Sequence, residues 1–172
     1  MDRSTLRTAV LFDRDSTLGN TRHRWHLSPM KDPTSSWEMY AAACWWDPPI
    51  PGTVAAARLH YQHHRVHICS GMDGSAYETN LSWLERHRVP YDEVRLRRAG
   101  DVETPNADLK VGYILELKSR GIETVLCYED WGPAAADIER RTGVPVVGVN
   151  PFYPDDDAKF QQQVHDSVGG GL

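Results

Sequence analysis

The sequence has few cysteines, and the three that it has are not spaced like a disulfide framework. Cys69 and Cys127 lie in apolar runs typical of strands, and Cys44 stands apart from both. Small secreted scaffolds depend on an even set of cysteines, so the sequence excludes that class. We expect buried free thiols in a protein of a reducing compartment.

Long apolar runs are also missing, since none approaches the ~20 residues of a membrane-spanning helix. The first ten residues, MDRSTLRTAV, lack the apolar region of a secretory signal. Nineteen basic against 24 acidic residues give a net charge of −5, which does not indicate general electrostatic binding to nucleic acid. The sequence predicts a soluble cytoplasmic protein without a membrane partner, and leaves its oligomeric state open.

Phenylalanine is scarce, with three residues against six tryptophans and seven tyrosines. The segment 19–51 is marked by prolines and is too long for a strand-to-helix connection of roughly two to six residues. We predict a small cap or lid there. Clustered indoles indicate core packing, a ligand surface or both. We therefore expect at least one of these tryptophans to face the functional site. The four tryptophans of this segment are Trp25, Trp37, Trp45 and Trp46.

The sequence is organised around residues 10–18, VLFDRDSTL. A short apolar run that ends in charge is typical of a strand buried on both faces. Residues two apart in an extended chain project to the same side, so Asp13 and Asp15 can address one site. Two close carboxylates repel each other unless a cation lies between them or one holds a proton. Both solutions suit catalysis: a Mg²⁺ site with a nucleophile, or a nucleophile beside a general acid.

After residue 52 the apolar pattern alternates between helix and strand. The pattern predicts an α/β domain over residues 1–150, a Rossmann-like parallel sheet with helices on both faces, and a frayed tail at 151–172. Ligands bind at the carboxyl ends of such strands, where Ser70, Glu129 and Asp130 join the first two acids. Beyond the first strand we expect strands at 65–71, 93–98, 124–130 and 144–150, and helices at 53–64, 75–87, 108–120 and 133–142.

Apolar residues at helical spacing support two of these helices. In helix 75–87, Tyr77, Leu81 and Leu84 are aligned. Gly121 is placed to end helix 108–120. In that helix, the residues at helical spacing are Val111, Ile114, Leu115 and Lys118.

In order and context, the collected motifs resemble those of the haloacid dehalogenase superfamily of Mg²⁺-dependent phosphohydrolases, over nearly the whole of residues 6–150. They are DRDST at 13–17, Ser70-Gly71, Lys110, and Glu129-Asp130. Residues 96–111, LRRAGDVETPNADLKV, with ICSGMDGS and YEDW, look like the 3′-phosphatase domain of phage-type polynucleotide kinases. No GxxxxGK[ST] motif of a kinase half is present. In that stretch, the positions that carry the family's motif residues correspond to Arg97, Gly100, Asp101, Asp108 and Lys110.

The resemblance implies a role for each motif residue. Asp13 would attack phosphorus to form an aspartyl-phosphate, and Asp15 would protonate the leaving oxygen and then activate water. Lys110 would offset the developing charge. Mg²⁺ would be held by Asp13, the backbone carbonyl of Asp15 and Asp130, with Glu129 close by or reaching it through water. Phosphoryl contacts would come from Ser70, Thr17, Gly71 and Arg97.

The sequence departs from the family pattern at a few positions. Arg14 stands where a smaller or apolar residue is usual, and we expect it to point outward. Ser16 replaces a glycine, Glu129 replaces an aspartate, and Met72 stands where the polynucleotide phosphatases have arginine. RHRWH at 22–26 is interpreted either as a phosphate-and-base clamp or as a polar loop.

The substrate implied by the resemblance is a phosphorylated nucleic-acid 3′ end. A 5′-nucleotidase or other small-molecule phosphatase uses the same chemistry and is the alternative. A catalytically idle phosphate-binding protein is a second alternative, although such a protein has no need of an acid at Asp15.

Overall fold

The computed structural model describes residues 3–149, in which five strands form one parallel sheet. Residue 150 and the expected tail at 151–172 lie outside the described residues. The order across the sheet is third, second, first, fourth and fifth strand. The predicted parallel sheet is therefore confirmed. The strands are β1 (Thr8–Phe12), β2 (Arg65–Asp73), β3 (Glu93–Arg97), β4 (Glu123–Glu129) and β5 (Val146–Gly148).

Helices cover both faces of this sheet. One core contains buried residues of the first three helices, and a second core contains those of the last two. Short 3-10 turns at Arg22–Leu27 and Ala43–Trp46 lie in the segment between β1 and the second helix. The helices are α1 (Trp37–Ala42), α2 (Pro51–His60), α3 (Tyr77–Arg86), α4 (Asn106–Ser119) and α5 (Gly132–Thr142).

Strand β1 is buried on both faces, as its unbroken apolar run predicts. Val10 and Phe12 belong to the core under α1–α3, and Ala9 and Leu11 to the core under α4 and α5. This division follows from the two-residue period of a strand. The pairing of β1 with both β2 and β4 makes it the central strand, so the residue that follows it, Asp13, emerges where the chain order reverses.

The buried face of α3 follows its aligned apolar residues only in part. Leu84 is fully buried and Leu81 packs against the core, but Tyr77 is 38% exposed. Trp83, outside the aligned set, is fully buried, and its indole donates a hydrogen bond to the Asp47 carbonyl at 2.8 Å. Burial of this large aromatic side chain fixes which face of the helix turns inward.

The buried face of α4 follows the apolar spacing only in part. Val111 and Ile114 are buried, but Leu115 is 51% exposed. The buried face also includes Lys110, near the start of the helix. The predicted stop is confirmed, because Gly121 has a φ of +73°, the left-handed conformation that favours glycine at the end of a helix.

All three cysteines are buried and none forms a disulfide. Within residues 3–149, no helix has the length and apolar character needed to cross a bilayer. The cytoplasmic location expected from the sequence stays a prediction.

His67, on β2, gives the fold a measurable dependence on pH. Burial lowers its pKa from 6.5 to about 4, against the opposing charges of Glu93 and Asp92. The unfolded chain therefore binds the proton more readily, and stability is lost as the pH falls from 6.5 towards 4. At ~1.4 kcal/mol per pKa unit, the loss should reach about 3 kcal/mol.

This loss can be measured by urea unfolding between pH 4 and 7.5. The variant His67→Gln should unfold with a shallower pH dependence than wild type. His63→Gln, at an exposed position, is the matched control and should keep the wild-type slope. A wild-type slope in His67→Gln would contradict the assignment.

Candidate active site

The carboxyl ends of β1 and β4 bring the predicted acids together. Asp13 follows β1 directly, and its backbone N–H donates to the Tyr128 carbonyl of β4 at 2.9 Å. One carboxylate oxygen from each of Asp13, Glu129 and Asp130 lies within 4.8 Å of the others. Three acids from two adjacent strands therefore converge on one point.

Lys110 supplies a positive charge inside this acidic cluster. It projects from the first turns of α4 and is fully buried. Its Nζ lies 2.9 Å from Asp13 Oδ1 and also donates to Glu129 Oε2. The second oxygen of Glu129 accepts a hydrogen bond from the Trp131 backbone at 3.2 Å. Glu129 thus orients both the lysine and the chain that follows β4.

Burial and mutual repulsion dominate the electrostatics of the cluster. Burial raises the pKa of Asp13 to about 7, with Lys110 opposing this shift and Glu129 adding to it. The pKa of Asp130 is also raised well above its ordinary value, by burial and then by Glu129 and Asp13. Burial alone would lower the pKa of Lys110, but the two neighbouring carboxylates outweigh it and raise that pKa well above the usual range.

The donor set fits a divalent cation. Three carboxylates and one ammonium leave an excess of about two negative charges in a buried site, which is costly unless protons or a cation compensate. Carboxylate oxygens are the ligands that Mg²⁺ prefers. Asp13, Asp130 and Glu129 could therefore hold Mg²⁺. Within this set, Lys110 contacts both Asp13 and Glu129.

Asp15 lies outside this acidic cluster. Its Oδ1 accepts hydrogen bonds from Arg24 Nη2 at 2.6 Å and from Arg14 Nη1 at 3.2 Å. Its side chain is partly exposed and lines the same cavity as Asp13. The two acids of the first motif thus occupy different environments, Asp13 beside an ammonium and Asp15 beside two guanidinium groups.

Of the four residues expected to bind the phosphoryl group, three line the cavity and one is buried beside a candidate metal ligand. Ser70, Gly71 and Arg97 line the cavity. Arg97 is anchored by its Nε, which donates to the Gly71 carbonyl at 2.9 Å, and by a second bond to the Thr104 carbonyl. Thr17 is fully buried, and its hydroxyl lies 3.5 Å from Asp130 Oδ1, so its contact is with a candidate metal ligand.

A cavity of about 1010 Å³ opens above the acids. Its lining includes Asp13, Asp15, Ser70 and Asp130. Aromatic side chains also line it, and two of the four clustered tryptophans are among them. The insert between β1 and α2 contributes Thr21, Arg22, Trp25, His26, Met30, Lys31, Trp37 and Tyr40, and Trp131 follows β4. That this insert closes over a substrate as a lid stays a prediction.

Two arginines are placed differently from the sequence expectation. Arg14 was expected to point outward but is fully buried, because Asp47, Asp15 and Asn80 bind its guanidinium. Arg24, which the clamp interpretation of residues 22–26 would place beside the phosphate, is also buried and binds Asp15 and Asp47. Pairing with a distant aspartate outweighs the tendency of arginine to remain in water.

Sequence reasoning missed two residues of the site. Asp47 carries the countercharge for both arginines, and no local pattern relates it to a position 33 residues earlier. Asn106 lines the cavity four residues before Lys110. Residues four apart share a helix face, so the spacing from Lys110 could have revealed Asn106.

No protein-family model matches the chain, and no curated protein is similar enough in sequence to match it. Similarity is found among solved structures. A chain of the Pnkp1/Rnl/Hen1 complex gives a TM-score of 0.70 at 19% identity, covering 86% of this chain and 47% of that chain. A second structure, of the Pnkp1/Rnl/Hen1 RNA repair complex, gives 0.67 at 21% identity, covering 90% and 46%.

A hydrolase of the haloacid dehalogenase-like family from Streptococcus pneumoniae gives a TM-score of 0.59 at 16% identity and covers 90% of both chains. The present chain spans less than half the length of the two complex chains. At these identities the comparison concerns architecture. The resemblance drawn from the motifs is thus confirmed in the fold, and the chain has the fold of the haloacid dehalogenase hydrolases.

Proposed function

We propose that the protein is a Mg²⁺-dependent phosphomonoesterase that works through an aspartyl-phosphate. The observation that carries this proposal is the pairing of buried Asp13 with Lys110 at 2.9 Å, beside Glu129 and Asp130, with Asp15 lining the same cavity. Phosphoryl transfer depends mainly on positioning and charge neutralisation, and this arrangement offers both.

In the first step, a carboxylate oxygen of Asp13 forms a bond to phosphorus while the ester P–O bond breaks. Asp15 gives its proton to the departing oxygen, which leaves as an alcohol. Lys110 offsets negative charge as Asp13 approaches the phosphoryl group, and Ser70 donates to one phosphoryl oxygen. Mg²⁺ bound by Asp13 and Asp130 would neutralise further charge on the phosphoryl oxygens.

In the second step, water attacks phosphorus and the bond to Asp13 breaks. The Asp15 carboxylate takes the proton of that water, so the residue returns to the form that began the cycle. Inorganic phosphate is the product, and Asp13 is regenerated. General acid–base transfer of this kind contributes ~10²–10⁴-fold to the rate.

We propose a polynucleotide 3′ end as the substrate. The cavity of about 1010 Å³ exceeds what a phosphate needs, and Trp25, Trp37 and Trp131 line it together with Arg22 and Lys31. Aromatic faces stack on bases at ~1–3 kcal/mol per base, and cations track the backbone. One structural neighbour is a chain of an RNA repair complex, which is consistent with this class of substrate. A mononucleotide or other small phosphoester is the alternative.

A substrate panel tests the proposal. Phosphate release is measured with Mg²⁺ for one oligonucleotide carrying a 3′-phosphate or a 5′-phosphate, and for the matching mononucleotides. We expect the 3′-phosphorylated oligonucleotide to react fastest, by at least about tenfold, because ~1.4 kcal/mol lies within the range that one stacked base contributes. Chelation of Mg²⁺ should stop the reaction.

The Asp13→Asn protein is the blank for contaminating phosphatases. Faster phosphate release from 5′-mononucleotides would contradict the polynucleotide substrate and support the nucleotidase alternative. No release from any phosphoester would overturn the enzymatic proposal in favour of phosphate binding alone.

A further inference from the structure

Arg14 lies between the two acids of the first motif, and its guanidinium is fully buried. A buried charge is tolerated only when it is paired and hydrogen-bonded. Here Nε donates to Asn80 Oδ1 at 3.1 Å, and Nη2 donates to the Cys44 carbonyl at 2.9 Å. Nη1 donates to both Asp47 and Asp15. The guanidinium therefore uses each of its three nitrogens.

Asp47 is the buried countercharge of this group. It accepts hydrogen bonds from Arg14 and, through both oxygens, from Arg24 at 2.8 Å. The Asp47 carbonyl in turn accepts the Trp83 indole N–H, and the Arg14 guanidinium stacks 4.2 Å above the Trp83 ring. Two arginines and two aspartates form a network that joins the end of the insert to the loop after β1.

Both guanidinium groups of this network bind one oxygen of Asp15. Arg24 Nη2 and Arg14 Nη1 reach Oδ1 at 2.6 and 3.2 Å. Within residues 3–149, the other oxygen of Asp15 accepts no hydrogen bond, although the side chain lines the cavity. Fixing one oxygen restricts rotation of the carboxylate, so the second oxygen keeps a defined place at the cavity wall.

We infer that Arg14 is a positioning residue that orients Asp15 for proton transfer. Asp47, in turn, holds Arg14 in place. This role rests on the proposed phosphomonoesterase function. It also gives the insert a part in the chemistry that does not require it to close, because the insert supplies Asp47, Arg24 and the Cys44 carbonyl.

The site is shaped for a guanidinium and not for a smaller cation. A lysine has one nitrogen and cannot reach Asp15, Asp47, Asn80 and Cys44 together. The chain also leaves room for this group at Gly19, where an added Cβ would lie 2.7 Å from Arg14 Nη1. A side chain at position 19 would therefore displace the guanidinium from its partners.

The role can be tested with two phosphoesters that differ in leaving group. A 3′-phosphorylated oligonucleotide releases an alkoxide and needs protonation by Asp15, whereas 4-nitrophenyl phosphate releases a stable phenolate and does not. In Arg14→Met, we expect single-turnover cleavage of the oligonucleotide to fall about 10²-fold. The burst of nitrophenolate should stay within a few-fold of wild type. Arg14→Lys keeps the positive charge but not the planar guanidinium group. If Arg14→Met fails to fold, Arg14→Lys should show the same difference between the two phosphoesters.

A double-mutant cycle with Asp15→Asn separates positioning from general damage. If Arg14 acts through Asp15, Arg14→Lys should cost almost nothing further in the Asp15→Asn protein, measured by oligonucleotide single turnover. Additive losses, or equal losses on both phosphoesters, would overturn the role of Arg14 and leave the proposed function standing. A wild type that cleaves neither phosphoester would instead overturn the proposed function, and this inference with it.

Discussion

Asp13→Asn is expected to lower phosphoester hydrolysis by at least about 10⁴-fold, the scale seen when a catalytic nucleophile is removed. The amide has no anionic oxygen to attack phosphorus, and it is a poorer ligand for Mg²⁺ than a carboxylate. Single-turnover phosphate release with saturating enzyme measures the loss. Asp137→Asn is the matched control, since that acid lies on α5 and pairs with Arg140 and Arg141.

The same substitution should not destabilise the fold. Burial raises the pKa of Asp13 to about 7, so ionising this group costs stability as the pH rises from its unfolded value near 4 to about 7. In metal-free buffer at pH 7.5, Asp13→Asn should therefore unfold at a temperature equal to or above that of wild type. A retained activity within tenfold of wild type would contradict the nucleophile assignment, and a cooperative unfolding transition would rule out misfolding as the cause of lost activity.

The sheet could be predicted because its signal is local. An apolar run that ends in charge, as in residues 10–13, marks a buried strand and its carboxyl end without any knowledge of its neighbours. Alternation of such runs with helices then fixes a parallel sheet, which brings the residues after β1 and β4 to one edge. Asp13, Glu129 and Asp130 are therefore near one another for reasons that the sequence contains.

The full set of buried residues on each helix was less predictable, because burial also depends on polar partners outside the helix. The Trp83 indole donates to the Asp47 carbonyl, and the Lys110 ammonium contacts Asp13 and Glu129. Apolar spacing counts neither a tryptophan hydrogen bond nor a buried lysine as a reason to face inward. The burial of Trp83 and Lys110 therefore could not be predicted from apolar spacing.

The network of Arg14, Arg24, Asp15 and Asp47 could not be predicted for a different reason. Asp47 meets Arg14 across 33 residues of irregular chain, and no strand or helix period relates the two positions. Arginine is rarely buried, so an outward position was the expected one. Its burial follows only from a pairing that the three-dimensional structure creates.

Lys110→Met is expected to damage both stability and catalysis. The ammonium is buried between Asp13 and Glu129, and its removal leaves three carboxylates converging with no cation among them. Removing one partner of a buried ion pair costs ~3–5 kcal/mol, because the remaining charge stays desolvated. Urea unfolding in metal-free buffer at pH 7.5 measures this cost. Lys118→Met, at an exposed position of the same helix, should change the unfolding free energy by less than ~0.5 kcal/mol.

The dependence on Mg²⁺ separates the electrostatic explanation from a packing defect. A cation held by the three carboxylates would compensate part of the lost positive charge, so Mg²⁺ should raise the stability of Lys110→Met more than that of wild type. Turnover should nonetheless stay ~10²–10³-fold below wild type at saturating Mg²⁺, because a donor aimed at the developing charge is missing. Equal stabilisation of both proteins by Mg²⁺ would mean that the stability loss in Lys110→Met comes from poor packing of the methionine and not from the lost charge. Wild-type turnover in Lys110→Met would show that the positive charge of Lys110 is not needed for the reaction, and would contradict its proposed role.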